Sequence, residues 1–217
     1  MYFLFNWFVK ITGWPVYWAI LRPKISYENK KVQSRRIKGR AIVISNHRNV
    51  LDVAVAMFTF RSRTLRCAAA ELMYRKNFFM TFMLRGLGMV KVDRDLHDFS
   101  FLSAFGKILD RGGVVEIYPE ARIPKSGEQT PLEFKPSAVY LALQTGAPII
   151  PICQNGRYFT NKRMRVIIGT PINVRSLYRD ELSEKDNIDY ITNHIREKII
   201  EFQKQLEQQE KEAREIR

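Results

Sequence analysis

The chain has 217 residues, 46% of them hydrophobic and 12% aromatic, and its 36 Lys and Arg against 22 Asp and Glu give a net charge of +14. That length suits one domain able to bury most of its apolar surface. The hydrophobic content excludes disorder over the whole chain, and only two cysteines, Cys67 and Cys153, exclude a disulfide scaffold and make a reducing compartment the default.

The charge is unevenly spread. From Asp180 onward eleven acidic residues face seven basic ones, a net −4, which leaves +18 on residues 1–179. Arg22, Lys24, Lys30, Lys31, Arg35, Arg36, Lys38 and Arg40 oppose only Glu28, a local +7. Such a run is a solvated basic face or a site for an anionic partner, either nucleic acid or a membrane surface. The segment before it, MYFLFNWFVKITGWPVYWAIL, holds all three tryptophans, Trp7, Trp14 and Trp18. Lys10 and the Gly13 to Pro15 break interrupt it short of the eighteen or so apolar residues that cross a bilayer. It has no basic start and no small-residue cleavage site, so it does not read as a signal peptide. Two short aromatic helices broken near Trp14-Pro15 and followed by cations fit an in-plane interfacial anchor over residues 1–24. A core-packing helix pair is the other reading of the segment.

Beyond the anchor, residues 25–217 read as one domain. Strand-favouring runs occur at Ala41 to Ser45, Thr64 to Ala69, Met89 to Asp93, Gly113 to Tyr118, Ile149 to Cys153 and Met164 to Gly169. Helical segments lie between them at Val50 to Phe60, Glu71 to Leu84, Phe99 to Asp110 and Phe134 to Thr145, with Gly112-Gly113 and Gly146 at expected C-caps. This alternation predicts an α/β fold, an αβα layered domain with a mostly parallel central sheet, plus the N-terminal aromatic two-helix membrane-surface element. Residues 120–133 form a polar loop. From Asp186 to Arg217 a long charged helix carries Ile188, Ile191, Ile195, Ile199 and Phe202 on one stripe, which fades after Leu206 and leaves an end, beyond about residue 210, that is solvated or frayed.

Four polar motifs follow strands. They are SNHRNVLD (Ser45 to Asp52), KVDR (Lys91 to Arg94), YPEAR (Tyr118 to Arg122) and PICQN (Pro151 to Asn155). In a parallel sheet the carboxyl ends of the strands share one edge, where ligands bind. His47 lies in a polar strand-to-helix turn with Asp52 five residues on. An aspartate on one imidazole nitrogen fixes the tautomer and leaves the other nitrogen as a general base. A helix-capping Asn46 beside an ordinary surface histidine gives a similar pattern. His97 and His194 lack such a setting.

No G-x-S-x-G elbow is present and neither cysteine neighbours a histidine. The simplest scheme therefore has His47 deprotonate a substrate hydroxyl that attacks an activated acyl group, such as a thioester, directly. Arg94, Arg122 and Lys91 offer cations for a phosphate on the acceptor, and Glu120 is placed to accept from a substrate hydroxyl or to orient Arg122. An internal network of Arg94, Asp93 and Glu120 is the alternative. Metal-site, Walker and dinucleotide spacings are absent, as are recognisable nucleic-acid modules, so neither a bound cofactor nor a nucleic-acid partner is expected.

These residues resemble the glycerolipid acyltransferase family, whose best-known bacterial members acylate lysophosphatidic acid. Asn46 to Asp52 is similar to its N-H-x-x-x-x-D signature, GMVKVDR (Gly88 to Arg94) to its second block, YPEAR to its F-P-E-G block and APIIPICQ (Ala147 to Gln154) to its fourth. The resemblance covers about residues 40–175. It implies His47 as base with Asp52 as partner, Arg94, Glu120 and Arg122 on the glycerophosphate acceptor, and an N-terminal two-helix element on the cytosolic membrane face. Ala121 and Ser137 replace glycines common in the family; if Ala121 must adopt positive φ, the loop is strained or reshaped.

The expected activity is O-acyl transfer from an acyl thioester, on coenzyme A or acyl carrier protein, to a lysophospholipid, foremost lysophosphatidic acid, in phospholipid biosynthesis. The same chemistry on another lysophospholipid or a hydroxylated lipid is a second expectation. A non-catalytic peripheral membrane or nucleic-acid binding protein is a third. An anionic membrane surface at the cytoplasmic face is the expected partner, and the basic patches at Arg61 to Arg66 and Arg157 to Arg165 suit an acidic carrier protein, an anionic lipid or neither.

Overall fold

A computed structural model describes residues 2–75, 77–92, 100–160 and 162–215. Seven strands make one sheet: β1 (Lys24–Tyr27), β2 (Ala41–Ser45), β3 (Leu65–Ala70), β4 (Val90–Val92), β5 (Val114–Ile117), β6 (Ile149–Gln154) and β7 (Arg165–Ile168), in the order β1-β7-β6-β2-β5-β3-β4. All neighbours are parallel except β6 and β7. Strands β2, β5, β6 and β7 are buried along their whole length, as their Val/Ile-rich sequences require of a sheet covered on both faces.

Alternation along each strand divides the core. Ile42, Ile44, Val115, Ile117 and Ile149 face a cluster with helices α5 (Ser100–Asp110), α6 (Ser137–Thr145) and α7 (Glu184–Glu215). Ala41, Val43, Val114, Ile150 and Ile152 face the opposite side with Ala56 and Phe60, where α2 (Asp52–Thr59) lies. The expected αβα layering and mostly parallel sheet are therefore present. The stripe on α7 is buried through Ile188, Ile191, Ile195, Ile199, Phe202 and Leu206, as its spacing predicts.

Three local expectations need correction. The N-terminal segment is one helix, α1 (Tyr2–Leu21), with Pro15 inside it and no break at Trp14-Pro15. Proline removes one backbone donor, and packing of Trp14, Tyr17 and Leu21 into a cluster with Val55, Met57, Phe58, Met164 and Val166 holds the helix together across it. The basic run contains a strand, β1, because Ile25 and Tyr27 pack on the core while Lys24 stays outside. The helix expected at Glu71 to Leu84 is two, α3 (Glu71–Tyr74) and α4 (Phe78–Leu87), since the Asn77 side chain accepts the Met80 N–H and starts a new helix. Asp93, Arg94, His97 and Phe99, on which several expectations fall, lie outside the described residues.

Candidate active site

Strand β2 is central, flanked by β5 and β6, so Asn46 to Asp52, Tyr118 to Arg122 and Gln154-Asn155 leave adjacent strand ends at one edge. Three of the four expected motifs thus meet. Asn46 fastens this edge: its amide donates to the Gln154 carbonyl at 2.9 Å and accepts the Gln154 N–H at 2.9 Å. It does not cap α2, whose N-cap position is Leu51.

His47 Nδ1 lies 2.9 Å from Asp52 Oδ2. Asp52 is fully buried at 0% exposure, and the same oxygen accepts the N–H groups of Arg48 at 2.5 Å and Asn49 at 2.8 Å, while Oδ1 accepts the hydroxyl of Tyr158. A buried carboxylate is tolerable only when its lone pairs are filled this way. With Asp52 accepting, the imidazole carries its proton on Nδ1 and keeps a lone pair on Nε2, the arrangement of a general base. The imidazole stacks on Tyr118 with ring centroids 4.3 Å apart.

Behind that ring, Tyr118 Oη donates to Glu116 Oε1 at 2.6 Å. Glu116 is wholly buried, and among the described residues its Oε2 has no hydrogen-bond partner. Burial pushes its pKa up to about 8; the bond from Tyr118 opposes this and the charge of Asp52 adds to it. Glu120 is also buried, with its pKa raised by desolvation against the pull of two backbone donors: Oε1 accepts the His47 N–H and Oε2 the Leu132 N–H, each at 2.8 Å. Glu120 therefore ties the His47 turn to the 120–133 loop.

Two of the three expected acceptor cations are engaged elsewhere. Arg122 forms a forked pair with Glu128 at 2.6 and 2.9 Å, which holds the Glu128 carboxyl down at about 2. Lys91 pairs with Glu71 at 3.2 Å, and Arg94 lies outside the described residues. Ala121 adopts φ +59°, so the loop does place a side chain in the left-handed region that glycine occupies freely. Both cysteines are buried, and burial pushes the Cys153 thiol far up. Among the described residues no three His, Cys, Asp or Glu gather as metal ligands.

Tyr158 and Glu116 were not legible as site residues. Tyr158 sits in what reads as a basic patch, and Glu116 reads as one polar residue within an apolar strand. The closeness of each to Asp52 exists only once β2, β5 and β6 are side by side.

Comparison with known proteins places the chain among similar sequences and folds. The family model described as Acyltransferase matches residues 24–155. Human 1-acyl-sn-glycerol-3-phosphate acyltransferase beta is 26% identical over 169 residues, 75% of this chain and 59% of that protein. The bovine alpha form is 28% identical over 151 residues, 65% of this chain and 52% of that protein. This chain thus spans between half and six-tenths of those relatives. The 1-acyl-sn-glycerol-3-phosphate acyltransferase of Salmonella typhimurium is 25% identical over 193 residues, 86% of this chain and 78% of that protein. The crystal structure of the 1-acyl-sn-glycerophosphate (LPA) acyltransferase PlsC from Thermotoga maritima shares the fold, with a TM-score of 0.59 at 21% identity over 84% of this chain and 73% of that one. A match running from β1 through the dyad to the end of β6, more than half the chain, shows that this protein belongs to the Acyltransferase family.

Proposed function

We propose that the protein transfers a fatty acyl group from a thioester to the free hydroxyl of lysophosphatidic acid, giving phosphatidic acid, with His47 as general base. The observation that carries the reading is the His47–Asp52 pair at the shared strand edge, in a chain whose relatives are named for this acyl transfer. His47 Nε2 takes the hydroxyl proton as the oxygen attacks the thioester carbonyl, and Asp52 stabilises the imidazolium formed. Collapse of the tetrahedral intermediate breaks the C–S bond, and the imidazolium returns its proton to the departing thiolate. No acyl-enzyme is required, in keeping with two buried cysteines. A phosphate on the acceptor takes the Arg122 fork in exchange for Glu128, with Lys91 and Arg94 as further candidates.

The reaction takes place on a membrane, at its cytoplasmic face in this reading. No helix among the described residues is long and apolar enough to cross one. The support is the exposed apolar side chains on two contacting helices. On α1, Phe3, Leu4, Phe8, Ile11 and Trp18 are exposed; on α4, which meets α1 through the edge-to-face pair Phe5–Phe82 at 5.3 Å, Phe78 and Phe79 stand 86% and 69% exposed. A lipid-embedded substrate and a basic flank argue for a bilayer as the occupant.

The test is thiol release from acyl-coenzyme A and from acyl carrier protein in the presence of acceptors with and without a phosphate monoester. Lysophosphatidic acid should be preferred by about tenfold or more, and Arg122→Ala should erase the preference. His47→Ala should fold and lose about 100-fold or more of the rate. Equal rates on all acceptors would favour the second expectation, a different lysophospholipid, for which the left-handed Ala121 beside Arg122 is the supporting observation. A fully active His47→Ala would refute the mechanism.

A further inference from the structure

The reading of His47 as base leaves unexplained how a buried Asp52 is kept fixed on its far side. Only one of its oxygens faces the imidazole; the other accepts from Tyr158, three residues beyond the family match. We propose that Tyr158 is a positioning residue of the catalytic pair, held in place by the C-terminal helix, and that its hydroxyl sets both the aim of Asp52 and the basicity of His47. This rests on the function proposed above.

The loop that delivers Tyr158 is built for that purpose. After β6, Gly156 takes φ +66°, and a Cβ there would lie 3.2 Å from the Cβ of Arg48 in the catalytic turn, so the chain passes directly against that turn. Phe159 also takes a left-handed φ, +51°, on the other side of Tyr158. Asn155 Oδ1 accepts the Arg165 N–H at 3.0 Å, and its amide donates to Glu210 Oε1 at 2.7 Å. Arg157 forks onto Glu210 at 2.9 and 3.2 Å. Glu210 belongs to α7, so this helix clamps Asn155 and Arg157, on either side of Gly156 and just before the tyrosine. The ring itself belongs to the buried cluster that also holds Tyr17, Leu21, Val55 and Met164.

A phenol has one proton to give. Gln154 Oε1 lies 3.1 Å from Tyr158 Oη, but the carboxylate is the stronger acceptor and takes it. Burial pushes the phenol far above its ordinary pKa, so it stays a donor throughout the working pH range. The other charged or titratable groups facing the pair are Glu116 from β5, Glu120 and Tyr118 from the following loop, Arg48 from the turn and Tyr17 from α1. A substitution at Tyr158 replaces none of these side chains.

Tyr158→Phe removes the hydroxyl and keeps the ring. Asp52 then spreads less of its negative charge and stabilises the imidazolium more strongly. In the intact 217-residue chain the His47 imidazole, followed by NMR and assigned by its loss in His47→Ala, should titrate about half a unit to one unit higher. The acid limb of the kcat profile should move up by the same amount, with kcat about tenfold lower at neutral pH and KM for the acceptor unchanged. An unmoved midpoint in a folded Tyr158→Phe overturns the proposal. If that variant fails to fold, Glu210→Gln loosens the clamp without touching the ring and should shift the midpoint in the same direction by less; an unmoved midpoint there is equally fatal. The NMR readout needs no acyl transfer. A shifted midpoint together with a fully active His47→Ala would therefore sink the proposed chemistry while leaving the coupling between Tyr158, Asp52 and His47 in place.

Discussion

Glu116 sits in the middle of a parallel sheet, registered against Val43 on one side and Cys67 on the other. An acid in that position holds its proton far more tightly folded than unfolded, at about 8 against 4.5. Because the folded pKa is the higher, the folded chain binds more protons between those values, and the contribution of this group is full below about 4.5 and lost as the pH rises to about 8. Glu116→Gln keeps an acceptor for Tyr118 and has nothing to titrate. Thermal melts across that pH range should show the variant gaining on the wild type as pH rises, and a constant difference would show that Glu116 is not protonated in the fold. At this scale the sequence was a partial guide. His47 and Asp52 are readable because five residues join them, and Ala121 because the missing glycine marks a backbone need. Glu116, Tyr158 and the real partners of Asn46 and Glu120 are not readable, since each acts on a group brought close only by strand pairing.

Helix α1 is an amphipathic helix turned inside out. Its buried side runs Asn6, Lys10, Tyr17 and Leu21, and its outward side is aromatic and aliphatic. Gly13 lies on the buried side, where an added Cβ would come within 2.9 Å of the Phe58 ring. Lys10 donates to the carbonyls of Arg61 and Arg63 just past the end of α2, and burial lowers its pKa to about 8. Arg35 caps the same end through the carbonyls of Phe58 and Thr59. Two cations that sequence assigns to a broken apolar run and a basic flank thus serve to anchor the helix to the body, a use invisible without the fold. Helix α4 adds apolar surface that the sequence hid, because a helix expected from Glu71 to Leu84 spreads its phenylalanines around the barrel of one helix instead of presenting them beside α1. If this joint surface is the membrane contact, Phe78→Ser with Phe79→Ser should lower vesicle flotation by about tenfold or more with little change in melting, as both rings are exposed. Undiminished flotation would assign the contact to α1 alone.

Across the whole molecule, α7 is the part whose course was most legible and whose role was least. The isoleucine stripe announces a long helix packed on the sheet. Its polar side reaches two loops on either side of the dyad, however: Arg196 donates to the carbonyls of Pro131 and Leu132, and Glu210 grips Asn155 and Arg157. Gln203, whose side-chain amide lies between the Thr130 carbonyl and the Arg48 guanidinium, joins the same set. Contacts separated by more than fifty residues leave no local trace in a sequence. Layering and strand direction were legible because buried parallel strands and crossover helices impose their own periodicities; the one antiparallel neighbour, β7, breaks that alternation and depends on β1, a strand disguised by lysines.

The outward apolar face of α1 and α4 also bears on how rates should be counted. If the proposed function holds and this face rests on a bilayer, the protein meets its lipid acceptor by diffusion in two dimensions, so the concentration it senses is a mole fraction in the sheet of lipid and not an amount per volume of water. Adding inert phospholipid to vesicles that carry a fixed total of lysophosphatidic acid should therefore slow the reaction, whereas diluting the same vesicles in buffer, with protein still bound, should leave the turnover of each bound molecule unchanged.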